Sequence, residues 1–112
     1  MQTKYKLEDL GLAVWVPKEL DHYQADILRP EVELLIHIHH ARNLVFDFEQ
    51  TEFMDSSGIG VLLNRYKQME GSRGTVTVYG VGPRIGRILK IGGIHRLIRQ
   101  YRNKEDAVHG VE

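Results

Sequence analysis

Asn43-Leu44-Val45-Phe46-Asp47-Phe48, followed by Phe53-Met54-Asp55-Ser56-Ser57-Gly58-Ile59-Gly60, is the stretch in which a nearly continuous apolar run hands over to an amphipathic helix. The run has the character of a strand covered on both faces, and Phe53-Met54 carry that character up to the turn. After the turn, Ile59, Leu62, Leu63, Tyr66 and Met69 recur at helical spacing and form one apolar stripe. Ser56 therefore falls at or just before a helix N-terminus, where unpaired backbone N–H groups and the positive end of the helix dipole favour an anion. Two readings fit this turn chemistry. Ser and Asp are common N-caps and Gly eases tight turns, which makes the segment a cap; equally, a phosphate carried by Ser56 would be accommodated there.

Working outward, Tyr5 to Leu7 and Leu12 to Val16 read as antiparallel strands joined through Glu8-Asp9-Leu10-Gly11. Asp21 can cap a helix from His22 to about His39, with Ala25, Ile27, Leu28, Val32, Leu35 and Ile36 as its apolar positions. Pro30 lacks the donor that a helix interior needs, so a kink is predicted near Asp26, the alternative being a second segment that begins at Pro30. Downstream, Thr75-Val76-Thr77-Val78-Tyr79 alternates as a strand. Gly80 and Gly82 flank a turn, and Pro83 takes a favoured first helical position. Ile85, Ile88 and Leu89 should face inward, with Arg84, Arg87 and Lys90 on the other side. Gly92-Gly93 then stops the helix before a final strand at Leu97 and Ile98, and Glu105 to Val108 allow one short last helix.

This alternation places the chain in the α/β class. Strands joined by helices lie parallel with right-handed crossovers, so the turns after Val16, Phe48 and Tyr79 gather at one sheet edge. Topology thus predicts that Asp21-His22, Asp55-Ser56 and the Gly80 to Pro83 turn lie near one another, where such folds usually place a ligand or partner.

A chain of 112 residues suits one domain over residues 1–112, and 42% apolar with 27% charged residues is an ordinary globular composition. No cysteine is present, which removes disulfides, thiolate chemistry and cysteine-bound metals. No apolar stretch suits a secretory signal or a membrane span, so the cytosol is the expected compartment. The zero formal net charge conceals an asymmetry: residues 1–70 hold 7 Lys/Arg and 12 Asp/Glu, while residues 71–104 hold 8 basic residues and no acidic one. That separation either presents different faces to different partners or lets the two halves attract one another. Nucleic acid is not an expected partner, since the chain is neutral and its basic segment has only Tyr101 as a stacking aromatic.

His37-Ile38-His39-His40 offers at most His37 and His40 on a shared helix face with no third ligand, so no metal is expected. Gly80-Val81-Gly82-Pro83-Arg84-Ile85-Gly86 follows a strand but lacks dinucleotide-loop spacing and the later acid. A small nucleotide-binding phosphotransfer enzyme, with Asp55 as nucleophile and Arg84 as phosphate clamp, is the rival reading. Against it, no P-loop lysine, Ser-His-Asp set or carboxylate cluster is visible in the sequence.

Leu20-Asp21-His22, Phe53-Met54-Asp55-Ser56-Ser57-Gly58-Ile59-Gly60 and Arg65-Tyr66-Lys67-Gln68 resemble the bacterial anti-sigma factor antagonists, which are single STAS domains. The resemblance extends over about residues 10–102 and leans to the sporulation branch rather than the general-stress branch. It implies a STAS-type mixed sheet of about five strands with an N-terminal antiparallel hairpin and three to four helices. It also implies that Ser56, the first Ser after the Asp, is the phosphoacceptor, with Asp21, His22, Asp55, Ser57 and Gly58 forming the partner-binding surface around it. The function implied is partner switching: the unmodified chain binds an anti-sigma factor serine kinase and frees the sigma factor, phosphorylation by that kinase ends the association, and a serine phosphatase restores it. No catalysis, cofactor, metal or membrane is implied. A STAS module of another sensory complex is the alternative within the same family. The chain departs from the family pattern at Pro17-Lys18, where a Gly often precedes the Glu, and in its short C-terminal end.

Overall fold

The computed structural model describes residues 1–8 and 11–109, apart from the side chains of Lys104, Val108 and His109. Strands β1 (Tyr5–Glu8), β2 (Gly11–Trp15), β4 (Asn43–Asp47), β6 (Thr75–Tyr79) and β7 (Arg99–Tyr101) form one sheet in the order β1-β2-β4-β6-β7. The β1–β2 pair is antiparallel and the other three pairs are parallel, so this is the mixed sheet expected. Two further strands, β3 (Glu19–Leu20) and β5 (Phe53–Met54), pair in parallel as a separate two-stranded ladder. The helices are α1 (His22–His39), α2 (Ser56–Gly71), α3 (Pro83–Ile91) and α4 (Lys104–His109).

Side-chain alternation explains the layers. Leu44 and Phe46 of β4 enter the large cluster with Leu12, Val14, Val76 and Val78, beneath Leu28, Val32 and Leu35 of α1, Val61, Leu62 and Met69 of α2, and Ile85 and Leu89 of α3. Val45 points the other way, into a small cluster with Ala13 and with Ala107 of α4. The central strand is therefore buried on both faces, which is why its sequence is apolar without alternation. The short α4 covers the far face of the sheet, and Thr77 Oγ1 donates to its Ala107 carbonyl at 3.3 Å.

The structure corrects the sequence reading in several places. Leu97 and Ile98 are not a strand. Gly93 takes a left-handed φ of 76° and starts a 3-10 turn (Ile94–Arg96), after which the N–H groups of Leu97 and Ile98 both donate to the Ile94 carbonyl. Ile94 and Ile98 are buried as a plug one helical turn apart, and the actual strand, β7, is polar and begins at Arg99. The hairpin is tighter than its polar connection suggested, because Glu8 and Gly11 are themselves paired; Asp9 and Leu10 lie outside the described residues. Pro30 does not open a second segment, for α1 runs as one helix through it. It lies on the exposed side, where water can serve the carbonyl that loses its donor.

The sheet edge is shaped by two residues. Asp47, fully buried, accepts the Glu49 N–H on Oδ1 at 2.9 Å and turns the chain at the end of β4. Gly80, at φ +73°, closes the end of β6 against Glu49, whose backbone nitrogen would lie 3.0 Å from an added Cβ.

Candidate functional site

The β3–β5 ladder creates the site. Glu52 and Phe53 N–H both donate to the Lys18 carbonyl, Leu20 is in register with Met54, and Asp55 N–H donates to the Leu20 carbonyl at 3.3 Å. One position further along each strand stands a helix N-cap: Asp21 for α1 and Asp55 for α2. Asp21 Oδ1 accepts from Gln24 N–H at 2.9 Å, and Asp55 Oδ1 accepts from Ser57 N–H at 2.8 Å. Two parallel strands of two residues each thus set two helix starts, and two carboxylates, side by side on one edge. Neither strand was legible from the sequence, since two residues fall below any periodicity.

Ser56 is the first residue of α2 and is exposed. Ser57 is half-buried, with its N–H held by Asp55 and its Oγ 3.4 Å from His22 Nδ1. His22 Nε2 lies in turn 3.4 Å from Asp26 Oδ2. A Ser57-His22-Asp26 series therefore exists in space although the sequence did not show it; its only signal was the His22/Asp26 spacing of four on a helix. Both contacts are long and the His22 and Asp26 side chains are 80% and 55% exposed, so water competes at each link and the series ties α1 to α2 weakly. Gly58 is buried. An added Cβ would collide with Met54 and come within 3.0 Å of Leu20 Cδ2, so Gly58 lets α2 sit directly on the β3–β5 ladder. Its contribution to any docking surface is this close approach rather than contact area.

The helix that follows the third predicted turn is adjacent: α3 packs beside β5, and Ile59 of α2 reaches Gly92, at the end of α3 away from that turn. The imidazoles of His37 and His40 line a shallow cleft with Arg42, Gln68 and Ser72 at the opposite end of α1. Among the described residues no group of three or more His, Asp or Glu is placed to hold a metal.

Behind the site, the apolar stripe of α2 is interrupted by Arg65, which is only 7% exposed and donates from Nη1 to Gln68 Oε1 at 2.8 Å while its Nε has no partner. Burial holds its guanidinium below its ordinary pKa; Glu33 of α1 opposes this shift and Arg29 adds to it. A charged residue at this position of the stripe was not foreseen.

A mixed five-stranded sheet with helix starts gathered at one edge and an exposed serine there defines a small α/β module. The profile of the STAS domain matches residues 3–107. The chain is 33% identical over 101 residues to the anti-sigma F factor antagonist of Paenibacillus polymyxa, covering 90% of this chain and 86% of that one. The structure of SpoIIAA, an anti-sigma factor antagonist, in its unphosphorylated form superposes with a TM-score of 0.82 at 22% identity, covering 98% of both chains. The Bacillus cell fate determinant SpoIIAA in the phosphorylated form gives 0.75 at 22% identity, covering 98% of this chain and 99% of that one. The chain belongs to the STAS-domain family, among its anti-sigma factor antagonists. No helix among the described residues is long and apolar enough to cross a membrane.

Proposed function

We propose that this protein is a cytosolic partner switch whose state is set by phosphorylation of Ser56. Unmodified, it binds an anti-sigma factor serine kinase through Asp21, His22, Asp55, Ser56 and Ser57, with Gly58 holding the turn beneath them, and so releases the sigma factor. The kinase then transfers a phosphoryl group to Ser56 and the complex separates. A serine phosphatase returns the chain to its binding form. The chain acts as substrate and ligand and catalyses nothing itself.

The observation that carries this reading is the exposure of Ser56 at the first position of α2, beside two N-cap carboxylates. Two of the local backbone donors are already taken: Asp55 Oδ1 holds the Ser57 N–H and the Asp55 carbonyl holds the Gly58 N–H at 3.0 Å. A phosphate adds about −1.5 to −2 charges at neutral pH. With the Ser57 and Gly58 donors occupied and the two N-cap carboxylates on the same edge, that charge stays directed outward and raises the cost of docking without disturbing the fold.

Incubation with ATP and the cognate anti-sigma factor kinase, followed by tandem mass spectrometry, tests the assignment. The expected result is one phosphate on Ser56, and none with ATP alone. A phosphate on Ser57 alone, or self-modification without the kinase, would contradict it.

A further inference from the structure

The basic segment between residues 71 and 104 has a consequence in three dimensions. Ile85 and Leu89 anchor α3 in the core, which turns Arg84, Arg87 and Lys90 to solvent, and Ile91 stands on the same outward side with 81% of its surface exposed. The 3-10 turn packs on α3 and adds exposed Arg96 and Leu97, the latter 47% exposed. The side chains of Arg84, Arg87, Lys90 and Arg96 form no ion pair or hydrogen bond among the described residues. Lone exposed apolar residues are ordinary on a protein surface. Two of them set among unpaired cations, with no acid anywhere in the segment to neutralise the field, have the composition of an interface still lacking its partner.

We infer that this face of α3 and the following 3-10 turn docks an acidic protein surface bearing apolar side chains, and that this surface belongs to the partner that meets Ser56. The identity of the partner rests on the function proposed above; the chemistry of the face does not. Six of the eight basic residues in the segment are Arg, whose planar fork matches carboxylates in pairs and which is enriched at protein interfaces where Lys is depleted. A lipid surface would be served as well by Lys. Because α3 packs beside β5, which leads directly into Asp55-Ser56, one partner can span both areas. The face carries charge opposite to that of a phosphate, so it remains attractive to an acidic partner after Ser56 is modified. It steers encounter, while Ser56 decides whether the complex lasts.

The test uses the full chain and an acetylated octapeptide, Glu-Glu-Leu-Glu-Glu-Leu-Glu-Glu, with its Lys-for-Glu counterpart as control, followed by NMR. Binding of the acidic peptide alone is expected, with shifts in α3 and the 3-10 turn and an affinity that falls about tenfold from low to physiological salt. Arg84→Glu/Arg87→Glu/Lys90→Glu should abolish these shifts at unchanged melting temperature, and Arg87→Gln should weaken them about threefold should the triple variant not fold. Ser56→Asp should leave peptide binding intact, which separates this result from any failure at Ser56. With the anti-sigma partner, charge reversal should slow association about tenfold at low salt. The inference is overturned by absent peptide binding, by equal binding of the charge-reversed variants, or by an unchanged association rate with the partner. Preferential binding to vesicles of phosphatidylcholine with roughly one third phosphatidylglycerol would assign the face to lipid instead and would also overturn it.

Discussion

Around Ser56 the Ser57 and Gly58 N–H groups of the helix start are held by Asp55 before any phosphate arrives, and that shapes what the modification does. Were the N–H groups of α2 open, they would draw the phosphate inward and mask it. Held by Asp55, they leave it to the partner. Asp21 shares this double duty of cap and surface charge, so its removal has to be designed. Asp21→Ala would cost about 1 kcal/mol by losing the Gln24 cap and would confuse folding with docking. Asp21→Asn keeps a competent cap. It should hold stability within about 0.5 kcal/mol and weaken the kinase complex about tenfold, as read by paired denaturation and calorimetric titration. Unchanged affinity would remove Asp21 from the interface. The serine and both caps were legible as residue types in a strand-to-helix turn. What the sequence could not show was their mutual position, because the ladder that aligns them is made by backbone bonds to Lys18 and Leu20.

Among the elements, α2 buries a cation within electrostatic reach of Glu33 and Arg29 of α1. Arg65 carries its charge into the core, its Nε is unsatisfied, and no carboxylate reaches it at ion-pair distance among the described residues. Replacing such a group by an apolar one of similar length removes the desolvation penalty. Arg65→Met should therefore raise the free energy of unfolding by about 1–2 kcal/mol in urea, and a loss of that size would mean that the Gln68 bond outweighs the burial. Strong elements were legible from what each had to bury: α1, α2 and α3 follow the helical spacing of one apolar face, and the central β4 is apolar throughout because both its faces are covered. β7 was misplaced because apolar content marked the Ile94/Ile98 plug, while the strand itself is exposed and polar.

At the level of the whole molecule, the N-terminal residues are fastened to α1 by a single carboxylate. Glu31 accepts from Gln2 N–H, Thr3 N–H and Thr3 Oγ1 at 2.6 to 3.1 Å. Burial pushes its carboxyl up, but the Thr3 side-chain bond, the Gln2 and Thr3 backbone bonds and the N-terminal ammonium together outweigh this and hold it below the ordinary glutamate value. A carboxyl depressed in the folded state stabilises at pH above its unfolded value, about 4.3, and loses that contribution as pH falls through the folded value. Thermal unfolding of wild type and Glu31→Gln should differ at pH 7 and converge on acidification below about pH 4. A gap that stays constant with pH would assign the fastening to packing.

The anti-sigma antagonist family was legible from short motifs because they encode the edge where β3, β5 and two helix starts meet. The opposed charge of the chain's two halves was legible too, though not where it would surface. The most direct measurement of the switch compares binding of Ser56→Ala and Ser56→Asp to the cognate anti-sigma factor kinase by titration calorimetry, with both variants first shown to be equally folded. The predicted result is affinity retained in the alanine variant and lowered about a hundredfold in the aspartate variant. Equal affinities would contradict a switch at this residue.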